Sequence, residues 1–175
     1  KVIRNQLLID EGDPFNEILK TKSVNNIKSL NFFKTVNSEL IPADKDKNLI
    51  LNINVEEKPT GEISAGAGVG TEGSTVMFAV KENNFLGKGI SLNTQIKLSE
   101  EDIKGNFTVS NPNFKNSDKS VFFNLQTLET DKMSTSGYKT NKSGFKVGTN
   151  FEYYEDFNLG FSTRTFFFKL KNFFK

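Results

Sequence analysis

The stretch "NNFLGKGISLNTQIKLSEEDIKGNFTVSNPNF", residues 83–114, decides the fold. Ile90, Leu92, Ile96 and Leu98 alternate with Ser91, Asn93, Gln95 and Lys97. After "SEED" a second run sets Phe107 and Val109 against Asn106, Thr108 and Ser110. Period-two alternation of this kind marks strands with one apolar and one polar face. Gly, Asn and Pro before, between and after the runs mark chain reversals, so the segment reads as hairpins. Hairpins of this pattern can wrap a water-soluble core or stand in lipid, and the alternation is the same in both cases.

The rest of the chain narrows the choice. Its 175 residues suffice for one ordinary domain or two small ones. The chain opens on Lys1 inside an apparently structured segment, without an initiator Met or signal peptide, and is expected to be an excerpt of a longer polypeptide. No run approaches the ~18 apolar residues a membrane helix needs, so any crossing would use strands. The formal charge of +2 is spread among both signs and makes no case for nucleic acid. Without Cys or His the chain has no disulfide, no thiolate and no imidazole, which removes the usual nucleophile, acid–base and zinc-ligand chemistry. The expectation is a protein that is not an enzyme, with no catalytic residue, metal or cofactor.

From Asp13 to Asn31 the residues Phe15, Ile18, Leu19, Ile27 and Leu30 recur at helical spacing behind an Asp-Pro start, which predicts a helix with Asp13 as N-cap and Pro14 in its first turn. A short helix is expected earlier, over Val2 to Leu8. "NFFKTVNSELIP", the polar turn "ADKDKN" and "LILNINVEEKP" then read as a hairpin. This makes a small α+β unit whose first strand is expected upstream of Lys1.

Pro59 and Thr60 mark a change of pattern, because helical periodicity does not return after them. Strands are predicted at Glu62–Gly70, Thr75–Lys81, Gly89–Leu98, Lys104–Ser110, Ser120–Thr130, Gly144–Tyr153 and Asn158–Lys171. Most approach the ~9–11 residues that cross a bilayer at a tilt. The links after the second, fourth and sixth strands, "NNFLG", "NPNFKNSD" and "YEDF", each hold one aromatic: Phe85, Phe114 and Phe157. The links after the third and fifth, "SEEDI" and "DKMSTSGYKTNKS", hold no Phe and are polar. An aromatic girdle on one rim and polar loops on the other suit an outer-membrane barrel. The polar face, which also includes Lys146, Gly148, Asn150 and Glu152, is rich in small and amide residues, as a wet lumen would be.

The order of these parts resembles the BamA family of outer-membrane protein assembly factors. The resemblance rests on "LNFFKTV", on "INVEEKPTGEISAGAGVGTEGS" and on "ENNFLGKG" with "VSNPNF". It implies that residues 1–58 are the last POTRA domain and residues 61–175 the N-terminal portion of the barrel. The fold class is thus an α+β POTRA-like domain followed by about seven strands of an all-β antiparallel up-and-down transmembrane β-barrel. Such a protein sits in the bacterial outer membrane with its N-terminal domain in the periplasm. Its implied partners are nascent outer-membrane proteins, accessory lipoproteins and outer-membrane lipid.

The resemblance also implies that the first barrel strand, Glu62, Ile63, Ser64, Ala65, Gly66, Ala67, Gly68, Val69 and Gly70, is a lateral gate where a substrate strand docks. The physics of the segment agrees. Gly66, Gly68 and Gly70 fall on one face, and glycine weakens a strand through its larger entropy loss. An unpaired edge offers its N–H and C=O groups to any strand lacking a partner. The other reading is that these glycines make room for interior packing or for a sharp bend. By the same resemblance Glu11 holds an acidic position in contact with an accessory lipoprotein, although "VIRNQLL" keeps only Arg4 of the arginine-rich helix found in relatives.

Gly68, Gly70 and Gly73 spell the dinucleotide-binding G-x-G-x-x-G, but "STVMFAVK" then alternates like a strand where that motif needs a helix. "EGS" at 72–74 reads as a tight hairpin turn, "SEEDIK" as a solvated loop, and Tyr153 and Tyr154 as the interfacial end of a strand. Two other functions fit the same architecture or alternation: a two-partner-secretion-type transporter and a soluble periplasmic β-barrel that binds a ligand.

Overall fold

A computed structural model describes residues 2–43, 48–70, 73–154 and 156–172. The turn expected within "ADKDKN" lies outside the described residues, as do Glu72 of the one expected at "EGS" and Glu155, while Gly73 and Ser74 open a strand. The chain divides into two compact units, Lys1–Thr60 and Gly61–Lys175.

In the first unit a single 3-10 turn, Arg4–Gln6, precedes helix α1, Glu17–Ser29, and the antiparallel strands β1, Phe33–Pro42, and β2, Leu49–Glu57. The helix starts later than the Asp-Pro rule predicts. Asn16 is its N-cap, with Oδ1 accepting from the Ile18 and Leu19 amides at 2.9 and 3.2 Å, which satisfies two donors that the first turn leaves open. Asp13 instead accepts from the Asp10 amide at 3.0 Å and closes the preceding turn. The expected helix over Val2 to Leu8 is reduced to one turn.

The hairpin pairs Val36 with Val55, Ser38 with Ile53 and Leu40 with Leu51 on its more covered face. The core is small: Ile27, Phe32 and Val36, with Ser23 as a buried polar member. Ser23 Oγ donates to the Leu19 carbonyl and accepts from the Leu8 amide, both at 2.8 Å, so the hydroxyl ties the N-terminal segment to α1.

The second unit is one seven-stranded sheet in sequential order: β3 (Gly61–Gly70), β4 (Gly73–Phe85), β5 (Ile90–Ser99), β6 (Asp102–Asn111), β7 (Lys119–Lys132), β8 (Tyr138–Tyr154) and β9 (Phe157–Asn172). Every neighbouring pair is antiparallel. This is the up-and-down meander expected from the turn spacing. The register places residues of like character opposite one another: Ser91 faces Ser110, Asn93 faces Thr108 and Gln95 faces Asn106, while Leu92 faces Val109 and Leu98 faces Ile103. Adjacent strands therefore agree on which face is oily.

Several strands run past their predicted ends. The long polar link after the fifth barrel strand contracts to the turn Met133–Ser136 closed by Gly137 at φ 70°. The residues on either side stay in the ladder, with Thr130 opposite Thr140 and Asp131 opposite Lys139. Lys139 Nζ lies 2.7 Å from Glu129 and 3.0 Å from Asp131. Strands that extend into water are held by backbone pairing and ion pairs and need no apolar alternation, so their sequence reads as loop. At the opposite rim β4 continues to Phe85, and the Asn84 side chain accepts from the Gly89 amide at 2.7 Å to close the turn.

With so few residues fully buried in the first unit, the loss of one is expected to be felt throughout it. Ile27 has no exposed surface. Ile27→Ala should cost about 2–5 kcal/mol and lower the urea midpoint followed by far-ultraviolet circular dichroism of the helix. An unchanged midpoint would show that this core does not hold the unit.

Candidate functional site

The two faces of the sheet differ in chemistry. On one lie Val76, Phe78, Val80, Ile96, Leu98, Ile103, Phe123, Leu125, Phe145, Val147, Phe161 and Phe167, all at least one-third exposed. An open apolar face of that size does not persist in water. Ile96 and Leu98, which a soluble globule would seal inside, remain 46% and 45% exposed. From Ser143 to Tyr153 this side of β8 covers about 33 Å at ~3.3 Å per residue, or about 25 Å after a ~40° tilt, which matches the apolar band of an outer-membrane barrel.

The opposite face is polar and internally bonded. Asn124 Nδ2 donates to Asn106 Oδ1 at 2.6 Å and to Thr108 Oγ1 at 2.8 Å across β6 and β7. Phe122 and Phe166 also lie on this side, which the compositional reading of a polar face did not anticipate. Their strand parity was the signal that could have found them. Each covers a glycine of β8: a Cβ at Gly148 would collide with the Phe122 ring, and one at Gly144 with the Phe166 ring. Those two glycines are there for packing.

The glycines of β3 are placed differently. Gly66, Gly68 and Gly70 share the polar face, opposite Met77, Thr75 and Gly73, and among the described residues a Cβ built at any of them meets nothing within 4 Å. Among the described residues β3 has one partner strand, β4, over its 10 residues. Alternate residues of an antiparallel edge direct their N–H and C=O groups away from that partner. On the other face Ile63 and Val69 are 72% and 87% exposed, with Ala65 and Ala67 between them, and Glu62 and Ser64 complete the polar side. The whole segment Glu62–Gly70 is therefore a lightly covered edge. The strand that begins at Gly73 excludes a nucleotide-binding helix there.

Phe85 ends β4, Phe114 sits in the 3-10 turn Phe114–Asn116 and Phe157 starts β9. All three occupy the hairpins on one rim of the meander, and each is partly exposed. Glu11 lies in the first unit, where its carboxylate accepts from Arg4 Nη2 at 2.8 Å; both side chains are exposed.

A helix–hairpin unit followed by a meander with an oily outer face and an amide-rich inner one defines the class, an outer-membrane β-barrel protein that carries a POTRA domain. The family comparisons agree. Residues 84–173 match the Omp85 superfamily domain, and residues 1–58 match the POTRA model, described as a surface antigen variable number repeat. The chain belongs to the Omp85 superfamily. It is an outer-membrane protein with a periplasmic POTRA unit.

Among its relatives, outer membrane protein assembly factor BamA of Neorickettsia risticii is 31% identical over 109 residues, 62% of this chain and 14% of that protein. BamA of Neisseria meningitidis is 26% identical over 150 residues, 82% of this chain and 19% of that one. The crystal structure of BamA from Haemophilus ducreyi lacking POTRA domains 1–3 superposes with a TM-score of 0.85 at 20% identity, over 98% of this chain and 33% of that one. CdiB from Acinetobacter baumannii gives a TM-score of 0.57 at 13% identity, over 93% and 35%. The chain thus spans under a fifth of those curated relatives and about a third of those solved chains.

The face assignment predicts a sharp contrast between neighbours. Leu125→Arg, on the apolar side of β7, should destabilise the barrel in lipid vesicles by about 2–4 kcal/mol, whereas Gln126→Glu, a charge placed on the polar side, should change it little. Urea titration of both variants in vesicles reads the difference, and equal effects would refute the assignment.

Proposed function

We propose that residues 1–58 form the last POTRA domain and residues 61–175 the N-terminal portion of the barrel of an outer-membrane assembly factor, whose β3 edge receives strands of nascent outer-membrane proteins. The proposed activity is non-enzymatic. The observation that carries the reading is the open space over Gly66, Gly68 and Gly70, in contrast to the rings that cover Gly144 and Gly148. Packing among the described residues does not account for the three glycines, while easy separation of an edge does. Three glycines weaken a strand by roughly 1.5–3 kcal/mol in total relative to alanine. A nascent strand in hydrocarbon gains several kcal/mol for each backbone group it pairs. Docking at such an edge is therefore favourable for the substrate and cheap for the host.

In this scheme Phe85, Phe114 and Phe157 anchor the rim at the membrane interface, where aromatic rings are enriched. The Arg4–Glu11 pair is the surface at which an accessory lipoprotein would dock, and that lipoprotein would have to compete with the pair already formed. The superposition with CdiB keeps a second reading, secretion of one partner protein through the pore.

Two measurements test the proposal. A photo-cross-linking residue at Val69 should capture several unrelated outer-membrane barrels during their assembly, and depletion of the full-length protein should lower the levels of all of them. Capture and loss of a single exported protein would mean secretion instead. Gly66→Val with Gly68→Val should leave the protein folded and inserted but slow assembly several-fold, because the edge no longer separates easily. Unchanged assembly in that variant would remove the glycines from the mechanism.

A further inference from the structure

The polar face carries a row of cations that the proposed function does not use. Lys97 of β5 stands directly opposite Lys104 of β6, which pairs with Leu128 of β7, which pairs with Lys142 of β8. Arg164 of β9 joins them around a recess of about 370 Å³, floored by the amides of Gln95, Asn106 and Gln126 and flanked by Phe166. Like charges directly opposite in a ladder destabilise it. The wall offers little to offset them. Asp102 Oδ2 lies 3.0 Å from Lys104 Nζ, but the same carboxylate already accepts from Thr130 Oγ1 at 2.6 Å through its other oxygen. Lys97, Lys142 and Arg164 have no carboxylate partner among the described residues. Lys142 and Arg164 instead lie 4.1 and 5.7 Å from the centre of the Phe166 ring, a weaker neutraliser than an anion.

We propose that this recess is a binding site for an acidic segment of a polypeptide lying in the barrel lumen, its carboxylates held by Lys97, Lys104, Lys142 and Arg164. The inference rests on the barrel reading, which turns this face inward. Lipid headgroups are thereby excluded as the source of the anion, since lipid meets the other face. Spacing favours a segment over a lone ion. Lys104 and Lys142 are two strands apart, about 9–10 Å at ~4.8 Å per strand, and Lys97 is one strand further. A single phosphate or carboxylate meets part of the row at a time, whereas acidic residues four apart on an extended chain, ~13 Å from one another, match its span of about 14 Å from Lys97 to Lys142. The flat guanidinium of Arg164 and the amide floor supply directional donors that suit carboxylate oxygens.

The test uses full-length protein in detergent micelles and fluorescence anisotropy of a labelled peptide that alternates Glu and Ser. The peptide should bind, and Lys97→Gln with Arg164→Gln should weaken binding about tenfold, the sum of two partly exposed ion pairs. Lys97→Arg with Lys142→Arg should retain it, and so should Lys169→Gln, which lies on the opposite face of β9. Equal binding of a Gln–Ser peptide, or an unaffected double variant, would overturn the proposal. Binding of inorganic pyrophosphate without the Glu–Ser peptide would overturn it too, as a phosphate site. Heat-modifiable gel mobility and vesicle insertion, measured on each protein, separate failure of the site from failure of the barrel reading.

Discussion

Hydrocarbon offers no donor or acceptor, so every N–H and C=O of a strand in the membrane must be met by another strand, and each one left unmet costs several kcal/mol. The second unit of this chain is built around that constraint. Among the described residues its seven strands pair only with sequence neighbours, in registers that set most oily residues on one side, with Phe122 and Phe166 among the exceptions. Among the described residues the ladder leaves open edges only along β3 and β9. Any function that depends on backbone pairing with another chain must therefore be located at an edge, where pairing capacity remains.

The edges are not alike. β8 and β9 run side by side as strands of 17 and 16 residues, with Phe151 stacked on Phe161 across the join. β3 is 10 residues long, carries three glycines on one face and sets two alanines between the exposed Ile63 and Val69 on the other. Fewer ladder pairs than the β8–β9 hairpin, greater backbone entropy and the loss of side-chain pairing at Gly66, Gly68 and Gly70 all act in the same direction. Of the two edge strands described, β3 is the less restrained by its neighbour. In a member of the Omp85 superfamily, this difference links local composition to the strand docking proposed above.

Much of this was legible before any coordinates. Alternation in residues 90–98 and 104–110 announced the hairpins, and the positions of Phe85, Phe114 and Phe157 announced which turns share a rim. Strand ends were harder, because residues such as 138–143 pair above the oily band, where nothing selects for apolar side chains. The helix start was missed because Asp13 and Asn16 are both competent caps, and only geometry shows that the Asn16 side chain reaches two amides. The cationic row was missed for a different reason. Lys97, Lys104 and Lys142 are far apart in sequence and become neighbours only through the register of four strands. The glycines of β3 were visible as a pattern, but whether they made room for something could be answered only by what surrounds them.

Hydrogen–deuterium exchange of the full-length protein in lipid vesicles, resolved to single amides, tests the central claim most directly. If β3 is the weakly held edge, amides from Ile63 to Val69 should exchange orders of magnitude faster than those of the central strands β6 and β7, under conditions where the barrel as a whole stays folded. Protection of Ile63–Val69 equal to that of Phe123–Thr127 would mean that the strand is as firmly built in as any other, and the account would be wrong.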